Sequence, residues 1–255
     1  VEELFFDVHS FYLGMATIRF YFYHLVWQII DLIFPPRCAG CGEFGTRWCE
    51  TCHDQVEEVQ KPLCPSCGEP LDAPPSSERC LRCRQTPPNF TAVRSWAVFS
   101  SSLRKAIHSL KYQNNLGLGE IMAESLRQVF QEKNWQVDLV VPVPLGMERF
   151  KERGYNQAAL LAKPFAWRVG VPYQPRALQR VRETHSQIDL SLEERRENVA
   201  GAFLAKTEFV SGKTVLVIDD VTTTGSTTLD ACADALRLGN AETVYGLTLA
   251  RALHS

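Results

Sequence analysis

Val-Leu-Val-Ile-Asp-Asp-Val-Thr-Thr-Thr-Gly-Ser-Thr, residues Val215–Thr227, is the stretch that decides the fold of this chain. Four apolar residues run into two adjacent carboxylates, and a hydroxyl-rich loop with one glycine follows them. An apolar run bounded by turn residues predicts a buried strand of a parallel sheet. We predict a strand over Lys213–Ile218 and a helix over Ser226–Leu238, which leaves the carboxylates and the loop between strand and helix.

The loop after the two carboxylates has the composition of an anion-binding site. The N–H groups of a helix's first turn have no partner within the helix, and the helix dipole favours negative charge there. Two carboxylates directly ahead of such a site make sense if the ligand also carries vicinal hydroxyls and a Mg²⁺ ion. The alternative is an ordinary strand, turn and capped helix. The predicted phosphate-binding residues are Thr222, Thr223, Thr224, Gly225, Ser226 and Thr227.

This stretch resembles the 5-phosphoribosyl-1-pyrophosphate (PRPP) loop of type I phosphoribosyltransferases. The resemblance implies that Asp219 and Asp220 hold the ribose hydroxyls and that Thr223–Thr227 wrap the 5′-phosphate. Purine-salvage enzymes with this motif often carry an Asp where this chain has Thr223, and they use it as a base toward the purine. Because Thr223 stands in place of this Asp, we do not expect the protein to be a 6-oxopurine salvage enzyme.

Eight of the nine cysteines form four C-x-x-C pairs. Each pair directs two thiolates at one tetrahedral ion, and two pairs complete a Cys₄ zinc site, so we predict two structural zinc ions. A cytosolic chain does not hold four stable disulfides. The pairs combine either sequentially or in an interleaved cross-brace; we favour sequential pairing because each half then closes a short loop. The predicted ligands are Cys38, Cys41, Cys49, Cys52, Cys64, Cys67, Cys80 and Cys83.

Composition and charge narrow the class of protein. With 255 residues, 45% of them apolar, the chain is long enough for a core and more than one domain, and it is not disordered by composition. The net charge is −2, but residues 1–90 are acidic and residues 145–196 are basic. A basic segment favours a polyanionic substrate, whereas the acidic first third does not favour nucleic-acid binding by charge alone. No basic signal-peptide start is visible, and we expect a cytoplasmic location.

Strand and helix patterns alternate after residue 90. We predict the elements Val93–Phe99, Ser101–Gln113, Leu118–Gln131, Val137–Val143, Asn156–Val169 and Glu242–Leu249 in addition to the two above. This alternation predicts an α/β fold, namely a doubly wound, mostly parallel sheet of the type I phosphoribosyltransferase kind. We divide the chain into an aromatic N-terminal helical segment (1–36), a small double zinc ribbon (37–86) and a phosphoribosyltransferase-like domain (90–255).

Basic residues after the Val137–Val143 strand are candidates for binding a pyrophosphate. Arg149, Lys151 and Arg153 follow that strand, and the planar guanidinium group of Arg matches phosphate oxygens. The alternative is a solvated loop whose charges pair with neighbouring glutamates. Lys111 and Arg251 are weaker candidates near the same site. The polar segment 180–191 predicts a lid over the substrate, or a plain surface loop.

Residues 4–34 are unusually aromatic, and we predict a helix that ends near Pro35 and Pro36. Its longest stretch without formal charge, Phe20–Ile30, is too short to span a bilayer, which needs about 20 apolar residues. We favour packing on the protein's own core or on a second subunit. The alternative is an interfacial membrane helix, but such a helix usually has a polar face rich in Lys and Arg.

The whole chain resembles the ComF/GntX family. The resemblance rests on Leu32–Cys38, Val141–Pro144, Arg153–Ala158, Thr184–Phe203 and the ending Leu249–Arg251. It implies a double zinc ribbon fused to a phosphoribosyltransferase domain, and a role in DNA uptake during natural competence, with single-stranded DNA and a helicase-like protein as partners. We favour an enzyme that uses Mg²⁺ and PRPP, with Arg153 stabilising the departing pyrophosphate. The alternative is a non-catalytic protein that binds nucleotides or single-stranded DNA.

Overall fold

A computed structural model describes residues 2–71, 79–183, 192–223 and 227–253 of the chain. For residues 2–13, 192, 193, 195 and 196 only the helical backbone is described. Residues 184–191 of the predicted lid (180–191) and residues 224–226 of the loop lie outside the described residues. The helices are α1 (Glu2–Ile33), α2 (Glu50–Asp54), α3 (Leu81–Gln85), α4 (Ser101–Tyr112), α5 (Leu118–Gln131), α6 (Met147–Arg153), α7 (Gln157–Val169), α8 (Leu192–Val199), α9 (Thr207–Val210) and α10 (Thr227–Leu238).

Four parallel strands form the central sheet, in the order β1-β6-β5-β2, and a short antiparallel pair, β3 and β4, forms a second sheet. The strands are β1 (Ala92–Val98), β2 (Leu139–Pro142), β3 (Leu178–Arg180), β4 (Phe203–Ala205), β5 (Thr214–Thr222) and β6 (Thr243–Arg251). The predicted α/β class with a mostly parallel sheet is therefore confirmed. The strand that carries the two carboxylates, β5, is central and pairs with β6 on one side and β2 on the other.

Side chains alternate between the two faces of each strand, and both faces of the sheet are buried. Val215 and Val217 of β5 pack into one core with α10, while Leu216 and Ile218 pack into a second core with α4, α5 and α7. The run of apolar residues is continuous because neither face of this strand meets water.

Strand β5 is longer than the sequence predicted. The prediction ended it at Ile218, but it continues in register with β6 through Asp219 and on to Thr222. The two carboxylates therefore belong to the strand itself and are buried, rather than lying in the loop after it. Hydrogen bonding to a neighbouring strand outweighs the low strand propensity of aspartate at this position.

Helix α1 packs against α7, which in turn packs against β2 and β5. Within the described residues no helix is both long and apolar enough to cross a membrane. The predicted helix end near Pro35 agrees with the observed end of α1 at Ile33. The short helix α6, which carries the predicted basic clamp, was not predicted as a helix.

Candidate functional site

The candidate site lies where β5 ends beside the start of α10. Asp219, Thr222, Thr223 and Thr227 line a small hollow of about 70 Å³ at this point. Thr227 opens α10, and its hydroxyl is buried with no hydrogen-bond partner among the described residues. A buried hydroxyl that lacks a partner is costly, so this group is suited to a polar ligand in the hollow.

The second carboxylate, Asp220, faces a different set of residues. Its Oδ2 lies 2.5 Å from Nζ of Lys111, at the last turn of α4. Its Oδ1 accepts a hydrogen bond of 3.4 Å from Gln157, at the start of α7. Adjacent residues of a strand point to opposite faces, which explains why Asp220 contacts α4 and α7 while Asp219 lines the hollow beside α10.

The two carboxylates have opposite pKa shifts. Burial, with the neighbouring charge of Asp220, raises the pKa of Asp219 well above its ordinary value. Burial also opposes ionisation of Asp220, but the charge and hydrogen bond of Lys111 outweigh it and lower the pKa of Asp220. Burial opposes protonation of Lys111 too, yet Asp220 raises the pKa of Lys111 overall. The site therefore pairs a carboxylate whose ionised form Lys111 stabilises with a second whose burial favours the protonated form.

Arg153 reaches the acidic pair through Gln157 rather than directly. Its Nη1 donates to Oε1 of Gln157 at 2.9 Å, and its guanidinium group lies 4.7 Å from the ring centroid of Tyr112. Gln157 in turn donates to Asp220. The structure thus brings together the predicted residues Lys111, Arg153 and Asp220 in one network.

The turn between α6 and α7 holds this network in place. Gly154 ends α6 with a φ of 78°, a conformation that suits glycine. Tyr155 donates its hydroxyl to the carbonyl of Leu110 at 2.9 Å, and Asn156 caps α7 by accepting from the backbone N–H of Ala158. Gln157 was missed as a site residue by sequence reasoning, although it stands in the Arg153–Ala158 segment that carries the family resemblance.

The other predicted basic residues are arranged differently. Arg149 and Lys151 are exposed on α6, and Arg149 lies near Arg180 of β3, whose pKa is lowered by burial and by Arg149 among other neighbours. Arg251 is fully buried and contacts Cys67 and Glu69 of the second zinc ribbon. Thr224, Gly225 and Ser226 lie outside the described residues.

Replacing Lys111 with methionine leaves the Asp220 carboxylate buried without its cation. Removing one partner of a buried pair is costly, and with Lys111 about a quarter exposed we expect a loss of about 2–3 kcal/mol in the free energy of unfolding at neutral pH. The double variant Lys111→Met with Asp220→Asn should recover part of that loss. Urea unfolding of the four proteins in the cycle measures the coupling, and strictly additive losses would contradict the ion pair.

The eight paired cysteines form two clusters. The sulfurs of Cys38, Cys41, Cys49 and Cys52 lie within 4.8 Å of one another, as do those of the second group, Cys64, Cys67, Cys80 and Cys83. A tetrahedral zinc ion with Zn–S bonds of about 2.3 Å sets its sulfurs roughly 3.8 Å apart, so both clusters fit this metal. The sequential pairing that we favoured is the one found, and the clusters support two zinc sites.

The second ribbon is anchored to the central sheet by a buried arginine. Arg251, at the end of β6, donates to a carboxylate oxygen of Glu69 at 2.9 Å and to the carbonyl of Cys67. The N–H of Val93 in β1 donates to the carbonyl of Ser66 at 2.7 Å. Three of the four ligand cysteines of this cluster share a core with Val93. The second ribbon is therefore built into the same core as the sheet.

The first ribbon contacts both the helices and the sheet. The ring of His53 in α2 lies 5.6 Å from the ring of Trp96 in β1, and Cys38 and Cys52 share a core with Ala97 of that strand. Ser102 of α4 donates to the carbonyl of Cys52 at 3.0 Å, and Arg47 bonds both Asp31 of α1 and Asn115. Trp48 is buried in the core with α4, whereas Phe44 is 67% exposed. Of these two aromatic residues, only Phe44 is available on the surface for stacking with a base.

A parallel α/β sheet with an acidic strand end and a polar hollow at the following helix defines a phosphoribosyltransferase-type protein with a zinc-ribbon appendage. The model of the double zinc ribbon domain matches residues 29–84, and the model of the phosphoribosyl transferase domain matches residues 108–255. The chain belongs to the family of phosphoribosyl transferase domain proteins that carry a double zinc ribbon, as the resemblance to ComF/GntX proteins predicted.

Two relatives and one solved structure are similar to this chain over part of its length. The DNA utilization protein YhgH of Salmonella typhimurium is 35% identical over 80% of this chain and 90% of its own length. Competence protein F of Haemophilus influenzae is 31% identical over 80% of this chain and 90% of its own length. Among solved structures, glutamine PRPP amidotransferase from B. subtilis has 20% sequence identity and a TM-score of 0.39. The match covers 55% of this chain and 30% of the amidotransferase chain.

Proposed function

We propose that this protein binds PRPP with Mg²⁺ at the end of β5 and transfers its phosphoribosyl group. The observation that carries the proposal is the hollow beside α10, which is lined by Asp219 and by Thr227, whose buried hydroxyl has no hydrogen-bond partner among the described residues. A carboxylate accepts hydrogen bonds from ribose hydroxyls, and the first turn of a helix binds a phosphate. The hollow thus offers the two kinds of group that a sugar phosphate needs.

The proposed reaction is a displacement at C1 of the ribose. The bond from C1 to the pyrophosphate oxygen breaks, a bond from C1 to a nitrogen nucleophile forms, pyrophosphate leaves, and the nucleophile gives up a proton. Asp219 and Asp220 orient the ribose, residues 223–227 hold the 5′-phosphate, and Arg153 stabilises charge on the pyrophosphate. Arg149 and Lys151 belong to α6, the helix that Arg153 ends, and neutralise further charge on the pyrophosphate.

Magnesium suits this donor set. Hard oxygen ligands are those that Mg²⁺ prefers, and it is commonly bound by one or two carboxylates together with substrate phosphates. When bound, the ion neutralises part of the pyrophosphate charge. Asp219 is the carboxylate that lines the hollow, while Asp220 is already paired with Lys111, so we assign contact with the ion or the ribose first to Asp219.

Ligand binding is expected to release a proton and to strengthen as the pH rises. The raised pKa of Asp219 means that the free protein keeps this proton over a range above the ordinary pKa of aspartate, whereas a cationic or hydroxyl-donating ligand favours the ionised form. Calorimetry of Mg–PRPP binding in two buffers of different ionisation enthalpy counts the proton. Asp219→Asn should remove the release, and its persistence in that variant would contradict the assignment. Pyrophosphate release with candidate amines then tests transfer.

Single-stranded DNA is the second candidate ligand, favoured by the surface of the first ribbon. Exposed Phe44 has the guanidinium group of Arg37 stacked 3.5 Å from its ring centroid, and a groove of about 550 Å³ lies between this ribbon and the end of α4. Aromatic rings and Arg planes stack with bases irrespective of sequence. Salt-dependent DNA binding that is lost with Phe44→Ala, yet survives loss of the acidic pair, would support this function.

A further inference from the structure

Helix α1 has two apolar faces, and only one of them is covered by the rest of the described chain. On the covered face, Tyr23 packs edge-to-face with Trp167 of α7 at 5.7 Å, and the guanidinium group of Arg168 lies 4.3 Å from the ring centroid of Phe20. A hydrogen bond of 2.5 Å joins His24 to the buried carboxylate of Glu120. These contacts fix the helix on the domain and decide which face is left outside.

The outer face carries a continuous row of large apolar side chains, which we call the outer stripe. Its exposed fractions range from 37% for Met15 to 83% for Leu32. Each member follows the previous one at a position three or four residues further along the chain, in alternation. The outer stripe consists of Met15, Ile18, Phe22, Leu25, Ile29 and Leu32.

This alternation is the a/d repeat of a coiled coil. An apolar row spaced for the core of its own domain would be at least partly covered, as Ala16, Tyr23 and Trp27 on the inner face of the same helix are. Upstream, Leu4, Val8 and Phe11 continue the same alternation in the sequence. The repeat therefore runs through about four heptads, which is long enough to specify a second helix as the partner.

The exposed area agrees with a stable dimer. With about 200 Å² for each fully exposed large side chain, the outer stripe and the flanking Tyr21, Val26 and Ile33 present roughly 1,000 Å² per protomer, against about 800 Å² per partner in a standard interface. The flanking positions are mostly uncharged, so two copies of this face can meet without repulsion. Arg19 is the one Lys or Arg residue between 14 and 33, far fewer than an interfacial membrane helix carries.

We propose that the outer stripe of α1 pairs with the same stripe of a second copy of this chain, so that the protein is a two-fold symmetric dimer joined through an α1–α1 coiled coil. A two-fold interface needs one self-complementary patch, and a heptad stripe is such a patch. The interface lies on the side of α1 away from α7, so it leaves the end of β5 and both zinc clusters free in each protomer.

Light scattering during size-exclusion chromatography tests the proposal on the full chain. The wild-type protein should run at twice the monomer mass at micromolar concentrations. Replacing Ile18 and Leu25 with glutamate should weaken the dimer by about a hundredfold or more and halve the observed mass. Both side chains are more than half exposed in the monomer, so far-UV circular dichroism should show an unchanged fold.

The matched control is Leu204→Glu with Leu238→Glu, two similarly exposed apolar side chains away from α1, and it should leave the dimer intact. A monomeric wild-type protein, or a dimer that survives the Ile18 and Leu25 replacements, would overturn the proposal. So would a wild-type monomer that co-floats with vesicles of phosphatidylcholine and phosphatidylglycerol and loses this binding in the same variant, since the stripe would then be a membrane contact.

Discussion

The double variant Asp219→Asn with Asp220→Asn is expected to lose Mg–PRPP binding and PRPP-dependent pyrophosphate release. Hydrogen bonds to charged groups contribute about 1.5–3 kcal/mol each, so losing both carboxylates should weaken binding at least about a hundredfold. The loss should grow as the pH rises, because ionisation of Asp219 strengthens binding by the wild-type protein. Calorimetry and a pyrophosphate assay measure the two effects.

The single variants separate binding from folding. The raised pKa of Asp219 favours its neutral form, which an amide resembles, so Asp219→Asn should leave the free energy of unfolding nearly unchanged. Asp220→Asn removes the partner of Lys111 and should destabilise the fold. Asp138→Asn is the matched control, because Asp138 accepts from Thr214 at the other end of β5. Wild-type turnover in the double variant would rule out this site.

Replacing buried Cys64 of the second zinc cluster is expected to destabilise the phosphoribosyltransferase domain more than replacing exposed Cys41 of the first. Cys64 is fully buried in a core shared with β1, and its ribbon supplies both acceptors of the buried Arg251. Cys64→Ser should therefore remove one zinc ion and cost at least about 3–5 kcal/mol of unfolding free energy. Cys41 is exposed, and Cys41→Ser should remove one ion at a smaller cost.

Metal analysis and thermal unfolding of the same samples check this contrast. Cys232→Ser is the control for replacing a buried cysteine, because Cys232 lies in α10 outside both clusters and should leave two zinc ions bound. Equal losses of stability in the Cys41 and Cys64 variants would contradict the anchoring role of Arg251. Zinc loss from the Cys232 variant would contradict the assignment of ligands.

The secondary structure of the α/β domain could be predicted because its signals are local. The apolar spacing of α5 predicts its bounds correctly, and the predicted bounds of β1 and α7 lie within one residue of those observed. The helix α6 was missed because its seven residues are mostly charged and lack a buried face. The end of β5 was misplaced because aspartate favours turns, and pairing with β6 overrides that preference.

The candidate site was predicted in its residue types but not in its arrangement. The acidic pair, Lys111 and Arg153 were all expected near a phosphoribosyl ligand, but the expectation treated the two carboxylates as equivalent. Their difference comes from Lys111 and Gln157, which reach Asp220 from α4 and α7 and leave Asp219 to the hollow. Arg251 was expected near the ligand because it follows a strand, and it is instead the anchor of the second ribbon.

The sequence alone determined the four C-x-x-C pairs and the strand that leads to the acidic pair, because these follow from spacings between near neighbours in the chain, and its motifs carried the family resemblance that predicted the class of protein. Tertiary structure alone decided which carboxylate has the raised pKa, how each zinc ribbon packs on the sheet and which face of α1 stays uncovered. Those properties depend on burial and on charges contributed by distant segments. The sequence gives the type of each apolar or ionisable side chain but does not give its solvent exposure, which depends on how the chain folds around it.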